Sequence, residues 1–257
     1  MRSVLAAVAL LCLLGDGGTV YVTPAHADWP LDKMNKQIDE TSVIVSGICS
    51  GTIISVSERL ILTANHCIAD NLRDTEKREV DPKTGEIRIT RVQERVPMYI
   101  ETWKRQDFKV VTVSKHFAEI KGYDAASDTA ILQVIDTDWK PAAAAPLASD
   151  DYPYLRGQTV YAVGNPAIEF DNSITMGIIS APARSEAFGT GYDIPLFQHS
   201  ANTIGGNSGG AIYNEDGELI GTVTGGVKGS DISLAVPVSF SKALIRKAGF
   251  GKVLEKK

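Results

Sequence analysis

Residues 60–67 read Leu60-Ile61-Leu62-Thr63-Ala64-Asn65-His66-Cys67. Three aliphatic side chains followed by a β-branched threonine favour a short extended segment, and the chain turns polar where a histidine meets a cysteine. The same pattern recurs on both sides of this stretch. Runs rich in Val, Ile and Thr stand at Ser42 to Ile48, Thr52 to Ser55, Lys109 to Ser114 and Thr129 to Ile135. Others follow at Thr159 to Val163, Ile174 to Ser180, Leu219 to Thr224 and Ser233 to Val238, and Gly, Pro, Asn and Asp break the chain between them. Such punctuation predicts many short antiparallel strands and an all-β fold.

The pattern lapses between Asp136 and Arg156, where Pro141, four consecutive alanines, Pro146 and Ser149-Asp150-Asp151 stand. This segment predicts a boundary between two halves, each of a size suited to a small closed barrel. The expected organisation is a signal peptide over 1–27, an extension over 28–41, a first barrel over 42–138, a linker over 139–157, a second barrel over 158–238 and a helix with tail over 239–257. The helix is read from a Ser239 cap followed by Phe240, Leu244 and Ile245 at helical spacing, and it is expected to dock on the second half. Residues 70–107 are densely charged with both signs interspersed, which predicts a long solvated hairpin or loop rather than a binding patch. No internal repeat is visible.

At 257 residues the chain can build sizeable cores. Its formal charge of −5 provides no electrostatic footprint for nucleic acid. Arg2, the apolar run Val4 to Leu14 and the small-x-small triplet Ala25-His26-Ala27 read as an export signal cleaved after Ala27. That run falls short of the ~20 apolar residues a spanning helix needs, so no stable membrane insertion is expected once the signal is gone. The reading is a secreted or periplasmic protein. Cys12 falls within the signal, which leaves Cys49 and Cys67 as a pair able to form one bridge in an oxidising compartment. A zinc site is the competing use of these cysteines, but Cys67 beside His66 lacks the paired CxxC or HxxxH spacing of metal ligands. Neither a metal nor any other cofactor is expected.

Three segments carry side chains suited to nucleophilic chemistry. Gly205-Gly206-Asn207-Ser208-Gly209-Gly210 surrounds a serine with glycines, so the backbone can turn sharply and leave the hydroxyl and the Gly206 and Ser208 amides exposed as an oxyanion hole. His66 ends a strand-like run. Asp128 precedes the apolar run Thr129-Ala130-Ile131-Leu132, where a partly buried acid can accept a hydrogen bond from one histidine nitrogen and fix the tautomer.

Together these segments resemble the trypsin-like (chymotrypsin-fold) serine peptidases. Cys49-Ser50-Gly51-Thr52-Ile53-Ile54 and Thr63-Ala64-Asn65-His66-Cys67 are similar to the family's Cys-Gly-Gly-Ser-Leu-Ile and Thr-Ala-Ala-His-Cys. Asp128 to Leu132 and Gly206 to Gly210 are similar to its Asp-Ile-Ala-Leu-Leu and Gly-Asp-Ser-Gly-Gly. Gly164-Asn165-Pro166, Ser173 to Ser180 and Gly217 to Gly221 resemble the HtrA/Deg branch, whose members usually carry a PDZ domain that this sequence does not show. Thr203 to Gly209 also resembles the V8-type glutamyl endopeptidases.

The resemblance implies two antiparallel six-stranded Greek-key barrels. It also implies a serine endopeptidase acting on polypeptides, with Ser208 as nucleophile, His66 as base and Asp128 as the orienting acid. It places a specificity pocket at Asn202, Thr203, Thr224, Gly225, Gly226 and Ala235. Asn202 stands where trypsins carry the acid that binds basic P1 residues, and Val223 where the glutamyl enzymes carry a histidine, so a small or medium aliphatic P1 is expected. Asn207 replaces the acid that pairs with a freed N-terminus in digestive enzymes, and no Ile-Val-Gly-Gly start is present. The enzyme is therefore expected to be competent once folded, or gated by its loops. Of the remaining candidates, His116 reads as a strand-end or surface residue, His199 as either a residue lining the substrate cleft or a structural histidine before the nucleophile loop, and Asp124 lacks the apolar strand that follows Asp128. A binding module on the same fold without turnover is the reading from another class, and an esterase would use the same nucleophile.

Overall fold

Strand β3, Leu60–Ala64, is buried at every residue, which is what a continuous aliphatic run produces when both of its faces are covered. The computed structural model describes residues 29–106, 109–168, 170, 172–184, 194–227 and 229–255. Before β3 come α1 (Leu31–Thr41), β1 (Ser42–Val45) and β2 (Cys49–Ser55). After it come β4 (Leu72–Val80), β5 (Ile87–Arg95), β6 (Met98–Gln106), β7 (Lys109–Asp124) and β8 (Thr129–Val134). The second half holds β9 (Thr159–Gly164), β10 (Ser173–Arg184), β11 (Leu196–His199), β12 (Ala211–Tyr213), β13 (Leu219–Gly226) and β14 (Ser233–Pro237). It ends in α2 (Val238–Lys247).

Two closed six-stranded antiparallel barrels result, ordered β1-β2-β3-β8-β7-β6 and β10-β11-β14-β13-β12-β9. Numbered within each barrel, both follow one order, first-second-third-sixth-fifth-fourth. β1 pairs with β6 to close the first barrel and β12 with β9 to close the second. The all-β, two-barrel expectation agrees with this architecture. The charged segment expected to be a solvated hairpin or loop over 70–107 divides in two: β4 and β5 pair only with each other, forming a hairpin whose residues are nearly all exposed, whereas β6 at its end is a barrel strand between β1 and β7.

Each barrel has its own core. Val43, Ile61, Ile100, Ile120 and Leu132 fill the first. The core of the second, around Phe197, Ile212 and Tyr213, continues through Leu60, Leu62 and Ile131, so the barrels share one apolar interface. Each such aliphatic side chain contributes about 1.5–3 kcal/mol by leaving water.

Both helices differ from expectation. Helix α1 lies in the segment read as an extension, and its Met34, Ile38 and Thr41 face inward. Gln37 Nε2 donates to Gly217 O at 2.8 Å, the Thr41 and Tyr213 hydroxyls lie 3.2 Å apart, and Trp29 packs against the rings of Tyr161 and Tyr213. Helix α2 begins at Val238 after Pro237 and makes no side-chain cap, whereas Ser239 was expected to cap it. A proline fixes the φ required at a helix entrance without any hydroxyl. The helix also packs on both barrels rather than on the second alone: Leu244 and Ala248 lie against Gly122 of β7, where a Cβ would come within 3.1 Å of the Ala248 Cβ.

Candidate active site

The β3–β8 ladder pairs Ala64 with Thr129, which brings the ends of the two strands that precede His66 and follow Asp128 side by side. His66 then sits in the first turn of a 3-10 helix, Asn65–Asn71. Asp128 adopts φ 48°, held by the Asn65 amide on its carbonyl at 3.1 Å. Left-handed backbone is costly for a residue other than glycine and persists where its surroundings fix it. Here it turns the carboxylate inward. Asp128 is fully buried and accepts from the His66 amide at 2.9 Å, while His66 Nδ1 lies 3.1 Å from Oδ1 and 2.9 Å from Oδ2. The Thr224 hydroxyl makes a short contact to Oδ2. A buried carboxylate requires such donors. With its proton on Nδ1, the ring leaves Nε2 free, and the His66 side chain remains 41% exposed.

Asp124 does not join this cluster. It accepts from Ser127 Oγ at 2.7 Å and from the Ala126 amide at 3.2 Å, shaping the turn that delivers Asp128. His116 lies in a separate cleft, stacked on Trp139 and 3.4 Å from Asp136. His199 is fully buried, and among the described residues neither ring nitrogen has a partner in hydrogen-bonding geometry. Desolvation, partly offset by the Ala201 backbone, lowers its pKa to about 4.

Ser208 is half-buried, and its carbonyl lies 3.7 Å from Cys67 Sγ, next in sequence to His66. Its loop is organised by its carbonyls. Gly205 O accepts from the Ala167 amide at 2.7 Å, Gly206 O from Ser50 Oγ at 2.7 Å, Asn207 O from the Gly210 amide at 2.9 Å and Ser208 O from the Ser50 amide at 2.8 Å. The amides of Asn207 and Gly209 donate to Ile204 O and Val223 O. Within 206–210, therefore, only the Gly206 and Ser208 amides find no acceptor in the described chain. Gly206 has φ 99°, and a Cβ there would lie 2.3 Å from Asn165 O, so the turn admits glycine alone.

Beside Ser208 opens a cleft of about 690 Å³, lined in part by Asn202, Thr203, Gly225, Gly226, Asp231 and Ile232. Two expected pocket residues are not in it. Thr224 is buried with its hydroxyl on Asp128, at the point where the β13–β14 register shifts between Val223 and Gly225. Ala235, paired with Phe197 and Val223, is fully buried in the barrel core. Conversely, the sequence reading missed Ser233. Its hydroxyl accepts from Thr203 Oγ1 at 2.8 Å, and its only sequence signal was a polar residue opening a strand of otherwise apolar character. The Cys49 and Cys67 sulfurs stand 2.02 Å apart. Both lie within 4.8 Å of a His66 nitrogen.

Residues 49–221 match the family described as "Trypsin-like peptidase domain". The chain belongs to the trypsin-like peptidases. Among curated relatives, a probable periplasmic serine protease do/HhoA-like of Haemophilus influenzae is 30% identical over 80% of this chain and 38% of its own length. A serine protease Do-like HtrA of Lactobacillus helveticus is 38% identical over 40% of this chain and 25% of its own length. Among solved structures, an HtrA-type protease with a tripeptide superimposes with a TM-score of 0.61 at 23% identity, over 83% of this chain and 61% of that one. The serine endoprotease from Yersinia pestis gives 0.59 at 24% identity, over 83% and 64%. This trypsin-like peptidase spans well under half the length of those curated relatives.

Proposed function

We propose that the chain is a serine endopeptidase. His66 takes the Ser208 hydroxyl proton as Oγ attacks the scissile carbonyl, and the carbonyl oxygen gains negative charge opposite the Gly206 and Ser208 amides. The tetrahedral intermediate collapses when His66⁺ gives its proton to the leaving amine, leaving an acyl-enzyme on Ser208. Water then attacks with His66 again as base, restoring Ser208 and freeing the acid. Asp128 stays ionised throughout, holding the Nδ1 proton and offsetting the imidazolium charge. The observation that carries this reading is the pair of unpartnered amides at Gly206 and Ser208 on a loop that reaches Cys67, the neighbour in sequence of a histidine oriented by a buried carboxylate.

We further infer polypeptide substrates with a small or medium aliphatic P1. Apolar lining from Ile204, Val227 and Ile232 supports that choice, and Asn202 brings no charge to the cleft, whose described lining carries one acid, the exposed Asp231. Export is inferred from the leader, which lies outside the described residues, and from the naming of relatives as periplasmic. Among the described residues no helix is long and apolar enough to cross a membrane. A Cys49–Cys67 disulfide belongs to this reading and stabilises by roughly 3 kcal/mol for a loop of this order. We expect neither a cofactor nor nucleic acid among its partners.

The test is hydrolysis of fluorescein-labelled casein by the mature protein and by Ser208→Ala, together with labelling by a fluorophosphonate probe. The substitution is expected to lower turnover by on the order of 10⁴ or more and to abolish labelling. Equal rates for the two proteins would refute the assignment, and a folded protein that neither cleaves nor labels would favour the binding-module alternative.

A further inference from the structure

The loop that carries Ser208 is gripped from the other barrel by one residue. Ser50, fully buried on β2, donates its amide to Ser208 O and its hydroxyl to Gly206 O. A hydroxyl can turn its proton toward several acceptors, so something must fix it. Asn165 does so from the opposite side. Its amide approaches Ser50 Oγ at 2.8 Å and its side-chain Nδ2 at 3.1 Å, occupying the hydroxyl's acceptor positions and leaving its proton for Gly206 O. Asn165 is itself 1% exposed and saturated: Nδ2 also reaches Val43 O at 3.2 Å, and Oδ1 accepts from the Asn172 amide at 2.8 Å. Asn172 Nδ2 in turn donates to Asp39 of helix α1 at 2.6 Å.

A trans peptide points its N–H opposite its C=O. Drawing the Gly206 carbonyl to Ser50 and the Gly205 carbonyl to Ala167, two residues beyond Asn165, therefore sets the orientation of both peptides that meet at Gly206. Its high φ means that no side chain restrains this point, because glycine has none. The buried hydroxyl and amide supply the restraint from outside.

We propose that Ser50 and Asn165 are positioning residues for peptide hydrolysis: by fixing the peptide on the carbonyl side of Gly206 they restrain rotation at this glycine, so that the Gly206 amide, carried by the peptide whose Gly205 carbonyl Ala167 holds, stays facing the developing oxyanion, with Asn172 and Asp39 extending the network to the N-terminal helix. Neither residue touches substrate. This inference rests on the serine-peptidase reading above.

The experiment compares the mature protein with Ser50→Ala and Asn165→Ala, both on the unaltered Ser208 background. Measured are kcat and KM on fluorescein-labelled casein, the rate and end point of fluorophosphonate labelling, and the pH profile of kcat. Loss of a direct oxyanion donor costs ~10²–10³ in kcat, so an indirect effect of about tenfold is expected for Ser50→Ala and less for Asn165→Ala. KM should stay within about twofold, the labelling rate should fall in step with kcat, and the end point should remain one label per molecule. The pH profile, which reports His66, should not move. Unchanged kcat and labelling rate in both variants would overturn the proposal. So would a loss matched by a lower labelling end point, which marks a partly unfolded population, or one confined to KM. Asn165→Ala keeps the Ser50 hydroxyl in place and serves if Ser50→Ala does not fold. Failure of the peptidase reading itself would appear as activity surviving Ser208→Ala, a separate result.

Discussion

Thr224 and His66 meet on one oxygen: the threonine hydroxyl and the histidine Nδ1 both contact Oδ2 of Asp128, one from each barrel. The second barrel thus helps aim a base that the first barrel carries. Thr224→Val, which keeps the shape and removes the donor, is expected to lower kcat about tenfold, since a buried carboxylate then loses one of its hydrogen bonds. KM should barely move, because Thr224 lies outside the cleft. Steady-state kinetics on labelled casein separate the two parameters. A change in KM alone would restore Thr224 to the pocket wall.

The cleft wall is open at Gly225, where a Cβ would meet nothing within 4 Å. Gly225→Val is therefore expected to fold with an unchanged melting temperature while narrowing the cleft. Selectivity should move toward P1 alanine over P1 leucine or larger, by about ten- to a hundredfold for the loss of a few methylene contacts. Profiling cleavage sites by mass spectrometry before and after the change reads this directly. The same sites with the same relative rates would show that P1 does not enter this cleft.

His199 gives the fold a pH dependence independent of catalysis. Its pKa of about 4 in the folded chain lies below the ordinary 6.5, so the unfolded chain takes up the proton first as pH falls. Stability from this residue is intact above pH 6.5, declines between 6.5 and about 4, and levels off below, a loss of at most about 3 kcal/mol. His199→Leu should flatten that part of a urea-denaturation series recorded from pH 7 to pH 4. An unchanged slope would assign the acid sensitivity to other groups.

Trp29 fastens the first described residues to the second barrel. It is 7% exposed, and a Cβ on Gly217 would lie 2.8 Å from its ring. Trp29→Ala is expected to cost about 3–5 kcal/mol, as for other buried aromatic truncations. Urea denaturation measures it. A cost below about 1 kcal/mol would mean that Met34, Ile38 and the polar contacts hold α1 without Trp29.

Legibility followed burial. The aliphatic runs of β3 and β8 are covered on both faces and announce themselves as strands, and the motifs around His66 and Asp128 sit at their ends, while the glycine-rich motif around Ser208 marks the loop before β12. β4 and β5 are solvated on both faces, so the brief alternation of Ile87 and Ile89 with Arg88 and Thr90 points to no buried face, and β12 is three residues long, too short for any period. Helix α1 was readable in principle: Met34, Ile38 and Thr41 stand at helical intervals, but Pro30 opens the helix without the polar cap that usually signals one. The direction of Thr224 was not readable, because the β13–β14 register shifts between Val223 and Gly225 and a bulge of this kind re-aims side chains without any mark in composition. Asn165 was visible only as part of a motif. Its partners Ser50 and Asn172 are far apart in sequence or unremarkable in type, and only closure of the barrels brings Ser50 to it. Nor does the sequence repeat, although both barrels share one strand order, since two cores of different shape impose no common residues.

The β4–β5 hairpin stands outside both barrels, and its base is already closed: Val96 donates to Asn71 O at 2.8 Å, and Arg95 reaches Ile120 O at 3.1 Å. The chain therefore enters and leaves this arm through adjacent points. Shortening it to a tight turn asks for almost no new loop closure, and lengthening it asks for little more. Lys, Arg and Glu along its length discourage the edge-to-edge association that a free two-stranded ribbon invites. The arm is thus a place where this architecture tolerates insertion, trimming or an appended tag, with the catalytic strands none the wiser.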